Sequence, residues 1–278
     1  MTEWKAHEIR KKLEKIKGQF GLTLPQVQLL LCHERFLARL YSLNEGPHFI
    51  WKGGSLILRF YQGLEKPRFT VDLDFLAEGI RMAKVETTFK KAINIHLEDG
   101  FEYFNVRSTP MERETPYGGE RFEIDWNLFG RGQPESLKID ICAGDDVDFE
   151  IVKSQDLFLV PEQDLSLKVY PAEFIFAEKF ETAVRFYTGN TRLKDFIDMY
   201  TLVKKGINPK KTRNAINRCL KRRETSLLEK PWKKIFMDPE FIEIMEGYRT
   251  RHFNHLNLPR IKEMFSEIEA FVISLGID

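Results

Sequence analysis

Apolar and polar positions alternate along this chain in rhythms that change from stretch to stretch. Over residues 1–18, Trp4, Ile9, Leu13 and Ile16 fall at helical spacing among Lys, Arg and Glu, which predicts an amphipathic helix stopped by Gly18. Thr23, Leu24 and Pro25 supply a cap and a first-turn proline for a second helix, from about Gln26 to Leu43, that is apolar on most sides. Asn44, Glu45, Gly46 and Pro47 end it. The run Phe49–Trp51 reads as a short strand, Gly53 and Gly54 as a tight turn, and Ser55 as the N-cap of a helix to about Gln62 that Gly63 ends. From Thr70 to Leu76 the period becomes that of a strand. Val71, Leu73 and Phe75 point into a core, while Asp72 and Asp74 leave the opposite face with Cα atoms roughly 7 Å apart.

Further along, Val85, Phe89, Ile93 and Leu97 recur at helical spacing, which predicts a helix over 83–98 covering one sheet face. Residues 101–108 alternate imperfectly, as a strand. Arg121–Phe129 and Ser136–Cys142 are alternating runs joined by Gly130, Arg131, Gly132, Gln133 and Pro134, the punctuation of a hairpin. The sheet is therefore expected to be mixed or antiparallel there. Pro171 opens a helix through Arg185 with Phe176, Phe180, Ala183, Val184 and Tyr187 on its apolar side, and Thr188–Asn190 breaks it. A helix from Arg192 to about Lys204 turns Phe196, Met199, Leu202 and Val203 to a core, and residues 239–278 return to amphipathic helix. These elements predict an α+β fold: a small mixed sheet with flanking helices over residues 1–155, then a mainly helical domain over 156–278.

Composition narrows the class. A chain of 278 residues with 42% hydrophobic content can bury a sizeable core. Cys32, Cys142 and Cys219 lie far apart in no paired pattern, so neither a disulfide framework nor a zinc site is suggested and a reducing cytoplasm is expected. The polar start has no apolar leader segment, and the run Val27–Cys32 is far too short to span a bilayer. A soluble protein with no membrane partner is the expectation. His252 and His255 share a spacing but lack further ligands. The acidic stretch Asp145–Glu150 lacks the glycine and distal glutamate of a calcium loop and reads as a solvated connection.

Charge is unevenly placed. Between residues 204 and 234 twelve Lys and Arg face only Glu224 and Glu229, in a chain whose net charge is +1. Such asymmetry points to a polyanionic partner, with Lys210, Lys211, Arg213, Lys221, Arg222 and Arg223 as candidate RNA contacts. A solvated helix face is the plainer reading of the same run.

The chemistry concentrates between residues 48 and 76. Asp72 and Asp74 have the spacing to grip one or two Mg²⁺ ions, which take oxygen ligands and keep substrate phosphates as further ligands. Ions so held can stabilise both oxygens of an in-line nucleotidyl displacement. Backbone N–H groups at Gly53, Gly54 and Ser55 sit at the positive end of the following helix, where glycine lets the chain approach a triphosphate. Asp-x-Asp and Gly-Gly-Ser are each common in purely structural settings; in this order they form a nucleotide-plus-metal arrangement. A third carboxylate, as ligand or general base, would come from a neighbouring strand. Asp140 is the candidate and Asp125 its competitor. Read from spacing alone, Lys179 and Glu181 are surface charges, and Arg192 with Asp195 is a helix i, i+3 pair.

Gly53, Gly54 and Ser55, followed by Arg68, Thr70, Asp72 and Asp74, resemble the first motif of the nucleotidyltransferase superfamily, most closely that of the abortive-infection toxins of the AbiEii/AbiGii type. Ala177-Glu178-Lys179 and Arg192, Asp195 and Asp198 resemble the second half of that family's signature. The resemblance covers residues 48–76 and 171–200 well and 77–170 poorly. It implies that Lys179 meets the triphosphate of the incoming nucleotide with Asp195 beside it, and Asp140 matches the family's later strand carboxylate loosely. It further implies transfer of a nucleoside monophosphate from an NTP, with Mg²⁺ or Mn²⁺ as cofactor, to RNA at the 3′ end of a tRNA. Pyrophosphate would leave, and an antitoxin would be encoded nearby. The rival readings are a nucleotidyltransferase acting on a small molecule or a protein hydroxyl, and a non-catalytic nucleic-acid-binding protein on the same fold.

Overall fold

The structure, a computed structural model, describes residues 5–60, 68–111, 119–144, 147–160, 164–189, 192–229 and 231–277. It divides into two compact units, residues 1–145 with 149–169, and residues 146–148 with 170–278. The boundary expected at residue 155 falls between two strands that pair with each other in the sheet of the first unit.

The first unit opens with α1 (Ala6–Phe20), which buries Ile9, Leu13, Ile16 and Phe20. Gly18 does not stop it. The helix passes through that residue and ends where Gly21 takes a left-handed φ of 64°, the conformation that makes glycine a C-terminal cap. α2 (Leu24–Tyr41) begins with a full capping box between Thr23 and Gln26. Then come β1 (Phe49–Lys52), α3 (Gly53–Phe60), β2 (Asp72–Ala77), α4 (Met82–Ile93) and β3 (Phe101–Met111). β4 (Gly119–Leu128), β5 (Arg131–Ala143), β6 (Glu150–Lys153), α5 (Ser154–Leu157) and β7 (Ser166–Val169) complete the unit.

The strands form one seven-stranded mixed sheet in the order β3-β4-β5-β2-β1-β7-β6. β2 pairs antiparallel with β1 and parallel with β5, while β3, β4 and β5 form an antiparallel meander. The β4–β5 turn is tighter than its glycine-rich sequence suggests. Phe129 and Gly130 both have positive φ, 55° and 61°, as a two-residue primed turn requires, so β5 already begins at Arg131. On one sheet face Phe49, Phe75, Phe89 and Phe122 interlock edge-to-face or tilted at centroid distances of 5.0–6.0 Å, an arrangement that adds to their burial. α4 ends at Ile93, and Leu97 reaches the core from the loop beyond it. Val71 precedes β2 and is 48% exposed, outside the core expected for it.

α2 also carries buried ions. Arg39 grips both oxygens of Asp99 at 2.7 and 2.8 Å, and Arg35 adds a third contact at 2.7 Å. Glu34 pairs with Arg59 at 3.0 Å and accepts from the main-chain N–H of Leu159 and Val160. These networks tie α2 to α3, to the start of β3 and to the segment after α5.

The second unit is helical, as expected: α6 (Ala172–Phe186), α7 (Lys194–Lys204), α8 (Pro209–Arg222), α9 (Lys233–Met237), α10 (Pro239–His252) and α11 (Ile261–Ser274). Phe196 from α7 meets Phe236, Phe241 and Phe265 from three other helices, and this aromatic cluster is its core.

Candidate active site

In a sheet, side chains of directly adjacent residues on neighbouring strands leave the same face. Asp74 lies beside Lys52 of β1 on one side and Asp140 of β5 on the other, and Asp140 lies beside Arg121 of β4. One row across four strands is therefore Lys52, Asp74, Asp140, Arg121. Asp72 stands in the next row, beside Lys138. The opposite face is apolar, with Leu73, Phe75, Leu137, Ile139 and Ile141 fully buried. Asp125 falls elsewhere. It pairs with Ser136, beyond the stretch of β5 that lies against β2, and it is gripped by Arg107 at 2.7 and 2.6 Å and by Asn105 at 3.0 Å.

The glycine turn packs onto this row. Gly53 has φ +78°, and a Cβ there would fall 2.0 Å from Asp74 Oδ2. A Cβ on Gly54 would fall 2.6 Å from Arg68 Nη2 and 3.5 Å from Thr70 Oγ1. Glycine is required because main chain and functional side chains occupy adjoining space. Ser55 does not act as the N-cap. α3 has already begun at Gly53, and the buried Ser55 hydroxyl accepts from Trp51 Nε1 at 2.9 Å. What Ser55 can still present is its main-chain N–H in the first turn of the helix. The expected end of that helix at Gly63 lies outside the described residues.

Arg121 was not singled out in the sequence. Its Nε and Nη2 donate to the two oxygens of Asp140, each at 2.7 Å. Hydrogen bonding to Asp140 pushes the guanidinium pKa above its ordinary value; partial burial opposes this, and the charges of Asp140, Asp72 and Asp74 reinforce it. The strand pattern over Arg121–Phe129 held part of the signal, but the partner of Arg121 depends on hairpin register, which the two-residue turn sets.

Among the described residues no three His, Cys, Asp or Glu side chains converge as a ready-made metal cage. The donor set nonetheless suits Mg²⁺, which is commonly held by one or two carboxylates with water and substrate phosphate supplying the rest. Asp72 and Asp74 are such a pair. Asp140 adjoins them but is engaged by Arg121.

In the second unit, Lys179 Nζ of α6 sits between Asp195 Oδ1 at 2.6 Å and Asp198 Oδ2 at 2.9 Å, both on α7. Asp195 also accepts from Arg192 Nε at 3.1 Å. The aspartates are 2% and 3% exposed and the lysine 12%, so Lys179 is not a loose surface charge. Nor is Glu181, which is buried and accepts from Arg223 and Thr225 at 2.8 and 2.6 Å. This corrects the expectation for Arg223, whose buried guanidinium is committed to Glu178 and Glu181. Arg222 is half-buried, whereas Lys210, Lys211, Arg213 and Lys221 are exposed on α8.

A mixed sheet in which strand, glycine turn, helix and strand set a paired carboxylate against the turn defines the nucleotidyltransferase class. Two solved structures from Helicobacter pylori share the fold, JHP933 at TM-score 0.55 and a candidate nucleotidyltransferase at 0.56. Each is 15% identical to this chain, covers 88% of it, and is itself covered over 91% and 93% of its length. No curated protein matches the chain by sequence. The model of the AbiEii nucleotidyl transferase toxins of type IV toxin–antitoxin systems matches residues 35–269, and the chain belongs to that family. Membership implies a cognate antitoxin. Among the described residues no helix is long and apolar enough to cross a membrane.

Proposed function

We propose that this chain is a toxin that transfers a nucleoside monophosphate from an NTP to an RNA hydroxyl, with the 3′ end of a tRNA as acceptor, in a reaction dependent on Mg²⁺ or Mn²⁺. The reading is carried by one juxtaposition: Asp74 adjoins Asp140 across β2–β5 and meets the Gly53 turn, with Asp72 in the next row. Asp72, Asp74 and Asp140 would hold the metal, which when bound supplies charge neutralisation to the phosphates. Main-chain N–H groups of Gly53, Gly54 and Ser55, together with Arg68 and Thr70, would receive phosphate oxygens. Lys179, held by Asp195 and Asp198, brings an oriented positive charge for the triphosphate.

In the proposed reaction the acceptor oxygen bonds to the α-phosphorus. The bond from that phosphorus to the oxygen bridging the β-phosphate breaks, and pyrophosphate leaves with that oxygen. The acceptor's proton passes to a strand carboxylate, with Asp140 the candidate base. The exposed lysines and Arg213 of α8 support an RNA acceptor.

The test is incubation of the purified protein with each labelled NTP, Mg²⁺ and total RNA. Label in the small-RNA fraction supports the reading. Label on protein or on a small molecule moves the acceptor to that class, and no transfer with any NTP leaves a non-catalytic nucleic-acid-binding protein.

A further inference from the structure

Asp140 has both oxygens occupied. Arg121 donates to each at 2.7 Å, in the forked geometry in which a guanidinium matches a carboxylate. The pair lies at the surface of the row: the Arg121 side chain is 40% exposed and that of Asp140 19%. Exchange of the guanidinium for another cation therefore carries little desolvation penalty, unlike the opening of a core ion pair. The placement also answers an electrostatic problem. Asp74 and Asp140 are side by side on one face, where two carboxylates repel unless a cation is near. Arg121 is the neighbour of Asp140 on the side away from Asp74.

We infer that Arg121 is a built-in counter-cation of the carboxylate row, holding Asp140 until a divalent cation takes its place and then turning its fork to a substrate phosphate. This rests on the reading of the row as a metal site. A guanidinium suits the exchange because the donors that match a carboxylate also match a phosphate. In the absence of nucleotide, Arg121 should therefore weaken metal binding.

The experiment titrates the full-length protein with Mn²⁺ alone, following free Mn²⁺ by its paramagnetic resonance signal. Arg121→Gln should bind Mn²⁺ about fivefold more tightly than wild type, the scale set by loss of one partly exposed ion pair. Arg121→Lys, which keeps the charge but loses the fork, should fall between them. With Asp140→Asn already in place, Arg121→Gln should add nothing. Unchanged or weaker Mn²⁺ binding by folded Arg121→Gln overturns the inference, as does a gain that persists with Asp140→Asn, or no binding by either protein. Nucleotide transfer by the wild type, assayed separately, decides the parent reading. Transfer with unaltered Mn²⁺ affinity in Arg121→Gln removes only the counter-cation role, and tightened Mn²⁺ binding without transfer removes only the proposed activity.

Discussion

A Cβ on Gly53 would lie 2.0 Å from Oδ2 of Asp74, so the turn after β1 and the second carboxylate of β2 leave no room for a side chain between them. Gly53→Ala meets two obstacles, the positive φ and the carboxylate. The backbone strain alone should cost about 1–3 kcal/mol of stability. Displacing Asp74 by the better part of an ångström should lower transfer by about 100-fold. Gly54→Ala meets only the far end of Arg68 and should be milder. Thermal unfolding and transfer assays on both variants check this ordering, and equal behaviour would contradict it.

The carboxylates separate by position. Asp72→Asn and Asp74→Asn should abolish transfer with the fold intact, since both side chains leave the polar face and neither is fully buried. Asp140→Asn should also abolish it. Asp125→Asn loses the exposed Arg107 pair and should cost less than about 1 kcal/mol while transfer stays at the wild-type rate. Loss of transfer in Asp125→Asn with retention in Asp140→Asn would reverse the assignment of the third carboxylate.

Lys179→Ala leaves Asp195 and Asp198 buried without their shared cation. Removing one member of a buried ion pair typically destabilises by about 3–5 kcal/mol, so a lower melting temperature is expected whether or not the lysine touches nucleotide. The functional role shows separately: in the folded fraction KM for the NTP should rise while acceptor preference stays fixed. An unchanged KM would leave Lys179 as a structural ion only.

What was legible in the sequence followed from local pattern. Alternation placed Asp72 and Asp74 on one face and Leu73 and Phe75 on the other, because a strand's period is fixed by its backbone. What was not legible depended on partners distant in sequence. Gly18 and Gly21 are chemically alike, and only the observed φ shows which of them caps α1. Ser55 looks like a cap until Trp51 is seen to donate to it. Arg121 reads only as the start of a strand, and Arg223 as a candidate RNA contact. One is set against Asp140 by hairpin register and the other is buried against α6, and neither register nor helix packing is written in local spacing.

His33 gives a pH signature for the first unit. Burial, and next the charge of Arg59, hold its pKa down to about 3 from 6.5, with a hydrogen bond to the Val71 backbone opposing. Between those values the unfolded chain binds a proton that the folded chain refuses. The contribution is therefore fully present above about pH 6.5 and is lost as pH falls, at up to about 1.4 kcal/mol per pH unit. Denaturant midpoints from pH 7 to pH 4 should fall less steeply for His33→Gln than for wild type. Comparing the two proteins isolates His33 from Glu34, whose burial pushes its own pKa up. Parallel slopes would show that His33 titrates similarly in both states.

The acceptor is tested through the exposed charges of α8. If Lys210, Lys211 and Lys221 follow an RNA backbone, each phosphate contact contributes a slope of about −0.7 in log K against log salt for a single strand. Replacing these three with Glu should lower RNA affinity and flatten the salt dependence. Arg223 is left in place because its ion pairs with Glu178 and Glu181 are buried, and its loss would confound binding with unfolding. Free NTP binding should be nearly unchanged, since the residues proposed to meet the nucleotide lie elsewhere in the chain. Titrations at several salt concentrations decide the matter. The same affinity and slope for the triple variant as for wild type would remove α8 as a docking surface and put a small-molecule or protein hydroxyl first among acceptors.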